Sequence, residues 1–162
     1  MADLDERLAV ALLDHGATVA TAESCTAGLV AARIADRPGS SAYLIGGFVT
    51  YANEAKTQEV AVPEELLARV GAVSEEVAVA MAQGARRRLG TTYGVSTTGV
   101  AGPDGGTAAK PVGLVHVAVA SADRTWHREL MLDGDRARIR ADAVTEALDL
   151  LLEAVDNGPA HT

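Results

Sequence analysis

A chain of 162 residues that is 48% hydrophobic but only 3% aromatic has material for one domain-sized core, and that core must be aliphatic. A formal charge of −8 and a pI near 4.9 exclude the basic surface on which DNA or RNA binding draws. The lone cysteine, Cys25, excludes an internal disulfide, and no apolar run approaches the roughly 20 residues of a membrane helix. With an acidic start, Met1 to Glu6, that lacks a signal-peptide pattern, a cytoplasmic protein is expected, with neither nucleic acid nor membrane as partner.

The first expected helix covers 3–15, with Asp3 as N-cap, a Leu4, Leu8, Leu12 stripe and Gly16 beyond its end. A short strand, Thr18 to Ala22, hands over to a helix over Cys25 to Ala35 that Arg37-Pro38-Gly39 ends. Ala42 to Tyr51 reads as a strand interrupted or bent at Gly46-Gly47. Short helices are expected at about 52–60 and 63–69, the second with Pro63 as its first helical residue. Ser74 caps a long helix to about Leu89, with Val77, Met81, Ala85 and Leu89 facing inward and Glu75 and Glu76 at its positive end. Strands at about 92–98, 112–121 and 125–132 follow, the middle one apolar on both faces. A last helix runs from about Asp135 to Val155, and Asn157 to Thr162 is expected to fray. The order predicts an α/β fold, a three-layer α/β/α sandwich around a mixed sheet, in a single domain spanning 1–162.

Four segments carry chemistry. Ala22-Glu23-Ser24-Cys25-Thr26-Ala27-Gly28 lies where a strand meets a helix start, so free amides, Ser24 and Thr26 suit an anion; simple N-capping by Ser24 explains it equally well. Cys25 reads as a buried small hydrophobe rather than a nucleophile. Thr97-Thr98-Gly99-Val100-Ala101-Gly102-Pro103-Asp104-Gly105-Gly106 is a glycine-rich loop after a strand, able to wrap a ligand with its amides. Arg136, Arg138 and Arg140 crowd the start of the last helix against its dipole; Arg136 and Arg140 share a face, an arrangement suited to phosphate or to surface ion pairs. Pro38-Gly39-Ser40-Ser41 and Tyr51-Ala52-Asn53-Glu54-Ala55-Lys56 offer a serine and a lysine that a sheet edge can bring together. Such a lysine acts as a base only if burial lowers its pKa from the usual ~10.4; by itself this lysine reads more readily as a surface residue. His15, His116, His127 and His161 show no metal-ligand spacing, so no metal is expected, and His116 reads as a satisfied core residue.

Taken in this order, together with Gly71-Ala72-Val73-Ser74, Lys110-Pro111-Val112-Gly113 and Gly134-Asp135-Arg136, these segments resemble the CinA C-terminal domain family from about residue 5 to 155. Its best-known enzymatic members are nicotinamide-nucleotide amidohydrolases (NMN deamidases). The resemblance implies a cofactor-free hydrolase that takes nicotinamide mononucleotide to nicotinate mononucleotide and ammonia. It implies Ser41 as nucleophile, Lys56 as its base and Tyr51 as the group orienting the pair. Ser24, Thr26, Thr98, Gly99 and Gly102 would line the substrate site, and Arg136, with Arg140 beside it, would take the 5′-phosphate. Ala27 stands where the family commonly has glycine, and Ala108-Ala109 where it often has proline and an acidic residue. The resemblance also suggests a homodimer, and only the amidohydrolase half of longer relatives that carry a pyrophosphatase domain. The alternative is a non-catalytic nucleotide-binding or regulatory domain.

Overall fold

The computed structural model describes residues 2–158; His161 and the end of the tail expected to fray lie outside them. Helix α1 (Leu4–Asp14) starts at Asp3, whose carboxylate accepts from the Glu6 amide, and ends at Gly16 with φ of 58°. Strand β1 (Val19–Glu23) and helix α2 (Leu29–Ala35) follow. The helix expected from Cys25 starts four residues late, because Ala27 (φ 49°) and Gly28 (φ 102°) turn the chain through left-handed conformations that no helix contains.

A single 3₁₀ turn, Ser40–Ala42, leads into β2 (Leu44–Val49). The irregularity expected at Gly46-Gly47 falls one residue earlier: Val19 pairs with Leu44 and Ala20 with Gly46, so Ile45 is the bulged residue. Gly47 is needed for a different reason, since a Cβ there would overlap the Thr21 hydroxyl on β1. Helices α3 (Asn53–Val60), α4 (Glu64–Val70) and α5 (Glu75–Leu89) come next; Pro63 is the N-cap of α4 rather than its first residue. Ser74 caps α5 as expected, its hydroxyl accepting from the Val77 amide. Strands β3 (Tyr93–Gly99), β4 (Leu114–Ala120) and β5 (Thr125–Met131) precede α6 (Arg136–Asp156), which Asp135 caps.

The sheet order is β2-β1-β3-β4-β5. β1 runs parallel to both β2 and β3, and the β3–β4 and β4–β5 pairs are antiparallel. Alternate side chains send Val95, Val117 and Val119 to one face, against Leu12 of α1, Val30 of α2 and Leu148 of α6. The other face packs Ala20 and Ala22 against Val60, Leu67, Val77 and Met81 of α3–α5. The result is the expected α/β sandwich on a mixed sheet. Leu12, Val77 and Leu148 are fully buried, each contributing about 2 kcal/mol by its removal from water. Over β3 the packing is closer: Gly94 lies under the α5 backbone, where a Cβ would overlap the Ala82 carbonyl.

No helix among the described residues is long and apolar enough to cross a membrane.

Candidate active site

Because β1 and β2 are parallel and in register at Glu23 and Val49, they end together, which sets Ser24 beside Thr50 and Tyr51. The Thr50 amide donates to the Glu23 carbonyl at 2.8 Å, and the Ser24 amide to Thr97 O at 2.9 Å, fixing both chain ends. The chain then turns into α3, one turn of which carries Lys56 back over the strand ends. Lys56 is 1% exposed, and its amine lies 3.0 Å from Ser24 Oγ, 2.8 Å from Thr50 O and 3.1 Å from Tyr51 O. No carboxylate is among these partners. Burial lowers the Lys56 pKa from its ordinary value, with Cys25 and Glu54 pulling weakly the other way. Lys56 Nζ donates to Ser24 Oγ and to both carbonyls, and the Ser24 hydroxyl in turn donates to Tyr51 O at 3.5 Å. Once uncharged, the amine can turn its lone pair to the Ser24 hydroxyl while its two hydrogens keep the carbonyls.

The turn that presents Ser24 is held from below. Glu23, also 1% exposed, accepts from the Val30 amide at 2.8 Å, the Ala31 amide at 3.1 Å and Thr26 Oγ1 at 2.6 Å. Its carboxylate thus does for α2 what the N-cap Gly28, lacking a side chain, cannot do. Ser24 is therefore not the cap of this helix. Arg140 donates to the carbonyls of Cys25 and Thr26 at 3.0 and 3.3 Å, closing the turn from the α6 side. Cys25 is buried, and burial pushes its thiol up to about 11, as expected of an inert thiol.

Beside this pair, Arg136 at the start of α6 donates to the Tyr51 hydroxyl at 2.9 Å and to the Gly102 carbonyl at 2.8 Å. Tyr51 and Arg136 are both exposed, so a cationic and phenolic rim borders the buried amine. The Gly102–Pro103 bond is cis, and Gly102 has φ of 76°.

Several expected roles are corrected by this geometry. Ser41 is exposed in the turn before β2, while Lys56 lies beyond the far end of that strand; six residues at about 3.3 Å each set them about 20 Å apart. Ser41 is therefore not the partner of Lys56; Ser24 is. Thr26 is fully buried and bonded to Glu23 and to Thr97 Oγ1, so it supports the turn rather than facing a ligand. Thr98 is buried and donates to Ala72 O at 2.9 Å, which ties β3 to the segment before α5. At Gly99 a Cβ would lie 2.6 Å from Val115, so this glycine serves the contact with β4. The guanidinium of Arg140 is engaged by the turn, which leaves Arg136 as the exposed arginine beside Tyr51.

The model of the CinA C-terminal domain family matches residues 1–155. The chain belongs to this family. A CinA-like protein of Mycolicibacterium gilvum is 55% identical over 150 residues, covering 92% of this chain and 36% of that protein. One from Citrifermentans bemidjiense is 50% identical over 149 residues, covering 92% and 36%. The chain thus spans about a third of the length of the curated relatives it matches. Among solved structures, the competence/damage inducible protein CihA of Agrobacterium tumefaciens aligns with a TM-score of 0.89 at 41% identity, covering 97% of this chain and 98% of that one. A CinA superfamily protein of Klebsiella pneumoniae aligns with a TM-score of 0.92 at 33% identity, covering 96% and 97%.

In this CinA-family chain, the residue that sequence reasoning passed over is Glu23. An acidic residue closing an otherwise apolar strand, just before a hydroxyl-rich turn, was the available signal. The other is the contact between His116 and His127, which lie 11 positions apart and meet only because β4 and β5 pair.

Proposed function

We propose that the chain is an amidohydrolase that deamidates nicotinamide mononucleotide, with Ser24 as nucleophile and Lys56 as its base. The observation that carries this reading is the 3.0 Å contact between Ser24 Oγ and the amine of Lys56, a residue that is 1% exposed and whose amine has no carboxylate among its hydrogen-bond partners. A Ser–Lys pair needs an amine that gives up its charge readily, is directed at the hydroxyl and is shielded from water. The substrate class comes from the family resemblance, supported by the exposed Arg136 and Tyr51 next to the pair.

In the first step Lys56 Nζ takes the Ser24 proton as Oγ forms a bond to the carboxamide carbon. The carbonyl oxygen becomes an oxyanion, for which we assign the amides following Ser24 as donors. As the C–N bond breaks, Lys56 returns the proton to the departing nitrogen, and ammonia leaves. Water then attacks the Ser24 ester with Lys56 again as base, releasing nicotinate mononucleotide and restoring the hydroxyl. Arg136 takes the 5′-phosphate and so positions the ring for attack.

The test is ammonia release from nicotinamide mononucleotide. Wild type and Ser41→Ala turn over, whereas Ser24→Ala and Lys56→Met lose activity by about a thousandfold or more. Full activity in Ser24→Ala would refute the mechanism. Tight binding of the nucleotide without turnover by wild type would instead establish a nucleotide-binding domain.

A further inference from the structure

On the face of the sheet opposite α6, and on strands away from Ser24, His116 of β4 and His127 of β5 are stacked, with ring centroids 5.1 Å apart and planes 19° from parallel. His116 Nδ1 and His127 Nε2 are 2.9 Å apart. His116 is 5% exposed and His127 half-buried. The outer nitrogen of each ring faces a carboxylate: His127 Nδ1 lies 3.6 Å from Glu75 on the first turn of α5, and His116 Nε2 lies 3.9 Å from Glu129 on β5. Glu76 of α5 and Lys110, whose amine donates to Val70 O at 2.6 Å, line the same groove. Four titratable groups therefore stand in a row, Glu75, His127, His116 and Glu129, joining β4 and β5 to the start of α5.

We propose that this row is a pH-operated latch: it keeps its contact while holding one extra proton and opens when it takes a second. At 2.9 Å one facing nitrogen must carry hydrogen and the other must be bare. In either neutral tautomer the remaining bare nitrogen is an outer one, beside Glu75 or Glu129. The first proton goes there, next to an anion, and the inner N–H···N bond survives. The second has only the inner bare nitrogen to occupy. It sets two N–H groups head to head between two stacked cations, and the rings must part. Burial and the neighbouring His127 both resist protonation of His116, while Glu129 and Glu75 oppose them and Lys110 adds to the resistance. Parting the rings moves His127, and Glu75 with it, under the start of α5 and loosens the 70–74 segment, which Ser74 Oγ to Gly71 O, Thr98 Oγ1 to Ala72 O and Lys110 Nζ to Val70 O still tie. Thr98 is the direct cross-strand partner of His116, so this segment adjoins the β3 end.

The experiment is an NMR titration of the imidazole nitrogens from pH 8 to pH 4.5, with amide exchange read in parallel. In the wild type the two rings are expected to titrate as a coupled pair, in steps at least about one pH unit apart. The second step is accompanied by faster exchange of the amides at 71–76. In His127→Gln, His116 titrates in one step and that acceleration is lost. Glu129→Gln provides a second variant that keeps both rings, and it shifts the first step to lower pH. Two independent titrations near the ordinary ~6.5 with unchanged exchange at 71–76 would overturn the proposal.

Discussion

Arg136 and Tyr51, 85 positions apart in the chain, meet through a 2.9 Å hydrogen bond from the guanidinium to the phenolic oxygen. The same guanidinium holds the Gly102 carbonyl, so one exposed side chain joins the start of α6, the approach to α3 and the loop after β3. In the proposed reaction this arginine also meets the phosphate. Arg136→Ala is therefore expected to raise KM for nicotinamide mononucleotide at least about tenfold, the loss of a charge-assisted bond, with a smaller effect on kcat. With the same nucleoside lacking its phosphate, wild type and variant should nearly coincide. An equal defect on both substrates would mean that Arg136 serves the fold and not the phosphate.

The pH profile follows from the state of Lys56. The proposed reaction needs the uncharged amine, and burial lowers its pKa, so kcat/KM should rise with pH and level off below the ~10.4 of a free lysine. Stability has the same sign. Between the lowered native pKa and the unfolded value the unfolded chain binds more protons, so stability falls as pH drops through that window. Urea unfolding of wild type across this range should show the slope, and Lys56→Met should show less of it.

Glu23 should matter to stability more than any other carboxylate described. Removing it in Glu23→Ala strands the amides of Val30 and Ala31 and leaves the Thr26 hydroxyl with Thr97 Oγ1 alone. A loss of about 2–4 kcal/mol is expected by urea unfolding. Glu23→Gln should recover part of it, because one oxygen still accepts while the amide group faces a donor. A change below about 0.5 kcal/mol would show that the turn does not depend on this carboxylate.

Two glycines fix how closely α5 sits. A Cβ at Gly84 would overlap the Val60 carbonyl, and one at Gly94 would overlap that of Ala82; both obstacles are backbone, which cannot rotate aside. Gly84→Ala removes a residue unfavourable to helices, so propensity alone predicts stabilisation. The crowding should win instead, with a loss of about 1–3 kcal/mol for either variant in thermal or urea unfolding.

Much of the fold was legible because caps and apolar spacing are local signals: Asp3, Ser74 and Asp135 start their helices where the sequence places them. Lys56 was legible as a candidate base only through the family resemblance, since by itself a lysine one turn into a helix reads as a surface residue, and its burial depends on the strand ends that it covers. Which serine it meets was not. Ser24 and Ser41 both adjoin strands, and only the parallel pairing of β1 with β2 sets the end of β1, not the start of β2, beside α3. The late start of α2 was hidden because residues 25–28 have helical composition, while the cap comes from Glu23, outside the helix. The two histidines gave no signal because a contact across β4 and β5 depends on register, which side-chain type does not encode.

The carbonyl of residue 51, not its phenol, steadies the amine of Lys56. A main-chain oxygen is present whatever residue occupies the position. The contact of Lys56 with Ser24, and with it the proposed proton relay, is thereby insulated from substitution at residue 51, and the exposed ring is left open to variation. A lineage can retune what it admits at this rim while the chemistry behind it stays intact.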